Sequence, residues 1–273
     1  MFCSFESVAH IRLFCTVAQT GQFFDICHGP GNVHDSNGAA QFMLNCFTDA
    51  KAALKNTIFE SRVDSAFFNQ DIFSNFDQNH VKFTASVPFE RFLQLKDMIE
   101  QRKRWHRIDK QWSFFETEWK PKSWDSAFRF IFTRKKTKKQ HKGPMQLRLF
   151  EPRDFNYDYK VIVTNKSESA KTIVLFHNGR GSQEAIFGDA KNDAALDIIP
   201  TKRLAGNQIF TLCAMMVKII CRANCKCRLL HLLQGNSQNV RPLGHLKNSI
   251  PFDIVSSKEP AVSLGLKANS PLQ

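Results

Sequence analysis

Several features are missing from this 273-residue sequence, and each absence narrows the reading. The opening residues lack the charged-then-apolar pattern of a secretory leader. The eight cysteines, at 3, 15, 27, 46, 213, 221, 225 and 227, lack the tight spacing of a disulfide framework. Reduced thiols in a cytosol are therefore expected rather than a stapled secreted fold. No stretch was found with the ~20 consecutive apolar residues of a bilayer span. The run "IFTLCAMMV" at 209–217 is far shorter and predicts a buried helix or an interface, with no membrane partner. Paired C-x₂-C knuckles are absent as well, and "CRANCKC" at 221–227 has only His231 nearby as a partner ligand, which argues against a zinc site.

What is present is core material and positive charge. Hydrophobic residues make up 42% of the chain and include 26 Phe, enough for one large domain or two small ones and too much for a chain disordered throughout. The net charge of +13 points to a polyanionic partner, nucleic acid first and an anionic membrane surface second. That charge is uneven: residues 1–100 carry −4, 101–150 carry +11 and 151–273 carry +6. The middle segment also holds Trp105, Trp112, Trp119 and Trp124, whose rings serve either packing or the stacking of unpaired bases.

Local patterns divide the chain. "IRLFCTVAQTGQFFDIC" at 11–27 predicts a hairpin turning at Gly21, followed by a polar loop and a helix over "GAAQFMLNCFTDAKAAL". "TIFESRVDSAFF" at 57–68 predicts a strand ending at Asp64, with a helix over "NQDIFSNFDQNH" beyond it. A carboxylate at the C-terminal end of a strand is placed where open α/β sheets bind ligands. From 81 to about 160 the pieces "VKFTASV", "WSFFETEW", "FRFIFTRKK", "MQLRLFE" and "YDYKVIVTN" predict an antiparallel, basic insertion. Helix returns over "SESAKTIVLF", with Ser167 as its expected cap, and the tail from 235 to 273 has no clear period and is expected to pack poorly. The segments are then 1–80, 81–160, 161–234 and 235–273.

In "FHNGRGSQEAIFGDAKND" at 176–193, His177, Arg180, Glu184 and Lys191 are spaced by three, four and seven residues. On one helix, at about 100° per residue, they fall within roughly a 60° sector. Such a stripe is either a solvated face, with Arg180 and Glu184 as an i,i+4 pair, or half of a site that needs a second carboxylate elsewhere.

"RVDSAFF" at 62–68, "NGRGSQEAIFGDAKND" at 178–193 and "RLAGNQIFTLCAMM" at 203–216 resemble DDE-type insertion-sequence transposases of the subgroup with a Tyr-x₂-Arg-x₃-Glu-x₆-Lys signature. "GPGNVHDSNGA" at 29–39 and "YKVIVTN" at 159–165 resemble that group's Gly-Asn loop and the strand entering its last catalytic helix. The likeness runs in consistent order over roughly residues 10–216. It departs at His177, which stands in the Tyr position, and after about 220.

The resemblance implies an α/β, ribonuclease-H-like core with a β-rich insertion. In that fold three carboxylates hold two divalent cations, Mg²⁺ or Mn²⁺, to hydrolyse and transfer DNA strands. It makes Asp64 the second acid and Glu184 the third, both metal ligands. Arg180, Lys191 and His177 become contacts to DNA phosphate. Set in such a protein, Lys135, Lys136, Lys138 and Lys139 of the basic loop form a phosphate-tracking patch. The partners implied are transposon ends and target DNA, with a homodimer in an intact member, and the location is the bacterial cytoplasm.

The first acid has no match. In the family it lies on a strand upstream of the hairpin, for which residues 1–10 leave no room, and Glu6, Asp25 and Asp35 stand in the wrong contexts. The expectation is an N-terminally truncated, inactive transposase that lacks its first core strand and leaves two inner sheet edges unpaired. The alternatives are a non-enzymatic DNA-binding remnant and, less in keeping with the Arg-Glu-Lys spacing, another nuclease of the same fold.

Overall fold

A computed structural model describes residues 10–30, 38–137, 157–201, 203–234 and 249–259. The N-terminal hairpin forms as its alternation requires, with β1 at His10–Val17 and β2 at Gln22–Pro30. Gly21, at φ 63°, takes the left-handed turn position that a side chain would strain. Helix α1 (Ala39–Ala53) buries Ala39, Phe42, Met43, Cys46, Phe47 and Ala50, one helical stripe. Strand β3 (Ile58–Val63) ends one residue before Asp64, whose carboxylate caps the 3₁₀ turn at Ser65–Phe67. Helix α2 (Gln70–Gln78) is capped by Asn69, which accepts from the Asp71 N–H at 2.8 Å, and β4 follows at Lys82–Ser86.

The middle of the chain does not form a separate layer. After α3 (Leu93–Gln101), strands β5 (His106–Arg107), β6 (Trp112–Trp119), β7 (Phe128–Lys136) and β8 (Tyr157–Thr164) join the same sheet beyond β4. The expected strand "MQLRLFE" lies outside the described residues. Three helices follow: α4 (Ala170–Asn178), α5 (Ser182–Ala194) and α6 (Leu204–Gln234). The cap of α4 is Ser169, which accepts from the Thr172 N–H, and not Ser167.

One strand corrects two expectations. β9 (Ser249–Glu259) comes from the tail and lies in the centre of a nine-stranded sheet of order β2-β1-β9-β3-β4-β8-β7-β6-β5. It runs antiparallel to β1 and parallel to β3, so the two inner edges expected to be bare are both paired with β9. The reason is alternation. "SIPFDIV" places Phe252 and Ile254 on one face, where both are buried in the main core, and Asp253 on the other. Full burial of each apolar side chain contributes about 1.5–3 kcal/mol, which opposes the looseness its polar flanks suggested.

The two faces differ in chemistry. Toward α1, α2 and α3 the sheet presents the phenylalanine core, including Phe59, Phe73, Phe83, Phe130 and Phe252. Toward α4 and α5 its centre is polar, with Thr16, Arg62, Thr84, Thr164 and Asp253 all buried. A buried polar face must be satisfied by specific partners, and those partners define the site.

Candidate active-site cleft

The cleft opens at the carboxyl ends of the parallel strands β3 and β4 and has a volume of about 670 Å³. Asp64, Ser86, Arg91, Lys160, His177 and Arg180 are among its lining residues. Asp64 accepts from the Ser65 N–H at 2.5 Å and from Arg180 Nη1 at 2.9 Å. Burial alone would raise the Asp64 carboxyl, but the Arg180 charge and the Ser65 hydrogen bonds outweigh it and hold the pKa below the ordinary carboxylate value. With 39% of the Asp64 side chain and 28% of Arg180 still exposed, a ligand in the cleft can reach both.

The stripe expected on a single helix is divided. Helix α4 stops at Asn178 and a 3₁₀ turn spans Gly179–Gly181. His177 therefore ends α4, Arg180 sits in the turn, and Glu184 and Lys191 lie on α5. At the break the Arg62 guanidinium stands where a β-carbon on residue 179 would be, so only glycine admits it. Arg62 Nη1 then donates to the Phe176 carbonyl at 3.0 Å, satisfying one of the open carbonyls of the last turn of α4.

His177 is a buried part of the cleft lining, with Nδ1 3.0 Å from Thr84 Oγ1 and Nε2 2.9 Å from Ser86 Oγ. Burial, reinforced by the charge of Arg180, lowers its pKa to about 3, so the ring is neutral. A neutral imidazole has one N–H, and both of its nitrogens are already engaged by hydroxyls of β4. No ring N–H is left over for a phosphate.

Glu184 falls in the first turn of α5, next to the cleft wall at Gly181, and its side chain lies outside the described part of the structure. Lys191 is exposed two turns further along the same helix. Of the basic loop, Lys135 rests 5.5 Å from the Trp112 ring centroid, Lys136 is exposed at the end of β7, and Lys138 and Lys139 lie outside the described residues. Trp124 is buried and stacks on Phe68, while Trp105 packs on Phe115 and lies under Arg134, so these rings serve packing in this structure.

The residues that periodicity missed are Arg62 and Asp253. Asp253 has no exposed surface, and Arg62 grips both of its oxygens, Nε and Nη2 each at 2.5 Å. Burial pushes the Asp253 carboxyl up, and the two Arg62 hydrogen bonds only partly offset it. Their pairing follows from register, since Asp253 stands opposite Arg62 in the parallel β9–β3 ladder. Lys160 and Arg91 were also missed, because the cleft is assembled from β8 and the turn after β4.

These donors do not fit a divalent cation as they stand. Asp64 carries the Arg180 charge and Asp253 is fully occupied by Arg62. Among the described residues no group of three His, Cys, Asp or Glu side chains is placed to hold a metal ion.

No curated protein matches the chain. Residues 5–221 match the family described as Transposase DDE domain group 1, a span that takes in the hairpin, Asp64, the basic strands, α5 and the described start of α6. With the order of its elements, the cleft at the strand ends and that match in agreement, the chain belongs to the DDE transposase family.

Proposed function

We propose that this transposase-family chain binds DNA and does not cut it. The family implies DNA as partner and is generally dependent on a divalent metal. The observation that carries the proposal is the pairing of two carboxylates in and beneath the cleft with arginines: Arg180 on Asp64 and Arg62 on Asp253. A metal-dependent phosphodiester cleavage needs those oxygens free, whereas arginines without free metal sites favour holding an anionic backbone.

The position of parallel β3 and β4 between a hairpin on one side and α4–α5 on one face supports the ribonuclease-H-like reading. Within it, the path for the backbone starts at Arg180 and Lys160 in the cleft. It continues over β7, because Lys160 stands opposite Thr133, and Lys135, two residues on, shares its sheet face. That row leads from the cleft into the middle segment, residues 101–150, which carries +11 of the net charge of +13. Contacts of this kind are electrostatic and tolerant of sequence. His177 acts through packing, tying α4 to β4 beneath Arg180. Lys191 on α5 serves as a further phosphate contact.

The test is strand cleavage of supercoiled and linear duplex DNA with Mg²⁺ or Mn²⁺. No product is expected while the same preparation retards duplex DNA in gels. Metal-dependent cleavage that disappears in Glu184→Gln would overturn the proposal and restore an enzymatic reading.

A further inference from the structure

Helix α6 is anchored along one side and bare along the other. On the inner side Asn207 and Thr211 are buried with Ala214 and Met215, Thr211 Oγ1 lies 3.2 Å from His28 Nε2, and Lys218 Nζ pairs with Asp193 at 2.5 Å. On the outer side Ile209, Leu212, Met216, Val217 and Ile220 are 63%, 46%, 59%, 49% and 55% exposed. Ile209, Leu212, Met216 and Ile220 follow steps of three, four and four, which keeps them within roughly an 80° sector at about 100° per residue. The helix continues to Gln234, and over its 31 residues the sequence has Lys218, Arg222, Lys226 and Arg228 and no acid. At the same advance per residue, positions 226 and 228 fall about 100° to either side of the stripe, along its two borders.

We propose that this outer face of α6 lies flat on an anionic lipid surface. An apolar stripe bordered by cations is the pattern of an interfacial helix, in which aliphatic side chains enter the boundary between headgroups and acyl chains and Lys and Arg reach the lipid phosphates. The five exposed residues present on the order of 500 Å², as large as the largest apolar patch of a typical monomer. Charge chooses the occupant. In a pair of like helices the positions bordering the seam face one another, and borders without an acid would set cation against cation. Nucleic acid would meet the cations and leave the stripe in water. An anionic bilayer surface satisfies both.

Lying on the bilayer is distinct from crossing it. Residues 204–221 reach a mean hydropathy of 1.6, yet 22% of that stretch is buried within the protein, and spanning would break the inner contacts to His28 and Asp193. Lying flat keeps them, because the inner partners are on the opposite side of the helix. The expectation of no membrane partner rested on the length of the run at 209–217, which bears on spanning alone.

Flotation of the full chain with vesicles, without DNA, tests this independently of the DNA-binding proposal. The chain is expected to float with mixed phosphatidylglycerol and phosphatidylcholine vesicles and to stay behind with phosphatidylcholine alone. Charge in the middle segment would also hold the chain to anionic vesicles, so the deciding variant removes apolar surface and no charge. Ile209→Gln with Met216→Gln should weaken binding at least tenfold, with the circular dichroism unchanged. Lys226→Gln with Arg228→Gln should weaken it about 25-fold, about fivefold for each charge. Should the apolar double variant fail to fold, Leu212→Gln alone, at an exposed position, gives the same readout. A wild type that does not float with the anionic vesicles overturns the proposal. So does flotation that the apolar variant leaves unchanged, which would assign it to the middle segment. A wild-type dimer in analytical ultracentrifugation that the same variant dissolves would also overturn it and give the face to a second copy.

Discussion

Replacing Asp253 by alanine removes one half of a buried ion pair and leaves the Arg62 guanidinium, 7% exposed, without its counter-charge. Deleting one partner of such a pair costs about 3–5 kcal/mol, because the remaining charge keeps its desolvation penalty and loses its counter-charge. For a chain of this size each kcal/mol corresponds to about 2–4 °C, so Asp253→Ala should melt roughly 10 °C lower. The pair itself is not strongly favourable, since burial holds the Asp253 carboxyl above its usual pKa despite two hydrogen bonds from Arg62. The double variant Arg62→Met, Asp253→Leu should therefore recover most of the loss. Urea unfolding followed by circular dichroism at neutral pH, on wild type, Arg62→Met, Asp253→Leu and the double variant, measures all four corners of the cycle. A loss below about 1 kcal/mol for Asp253→Ala, or simple additivity of the two single variants, would refute the placement of β9 between β1 and β3.

Two further outcomes follow from the site. His177 has a folded pKa of about 3 against 6.5 when unfolded, so the unfolded chain binds a proton that the folded chain refuses. Stability from this group is complete above pH 6.5 and declines as pH falls toward 3. The decline should reach about 2 kcal/mol between pH 7 and pH 5, and the gap between wild type and His177→Gln in unfolding free energy from urea titrations should narrow by that amount. For DNA binding, Lys135→Gln with Lys160→Gln should reduce the slope of log affinity against log salt by about 2, read by fluorescence anisotropy over a salt series. An unchanged slope would move the backbone path off this face of the sheet.

Local chemistry was sufficient for most of the elements. The hairpin with Gly21 at its turn, the carboxylate that ends β3, and strands β6 and β7, whose described ends coincide with "WSFFETEW" and "FRFIFTRKK", depend on alternation and turn residues that lie within a few positions of one another. The family likeness was legible for the same reason, being carried by short runs in fixed order. Helix α3 was missed because its nine residues sit between strand-like pieces and make too short a pattern to stand out.

The sequence by itself determined the strand that delivers Asp64, the basic character of the middle segment and membership of the transposase family. The tertiary structure decided what those residues meet. Arg180 reaches Asp64 across 116 positions and Arg62 reaches Asp253 across 191, separations over which no periodicity carries information. Alternation around Asp253 was present in "SIPFDIV", yet nothing local says that a strand near the end of the chain pairs with two near its beginning. Strand pairing is chosen by which edge offers unpaired backbone groups and an apolar face of matching register, and both appear only once the sheet has formed. The close approach at Gly179 belongs to the same level, because the Arg62 guanidinium that occupies the space beside it is delivered by a different strand.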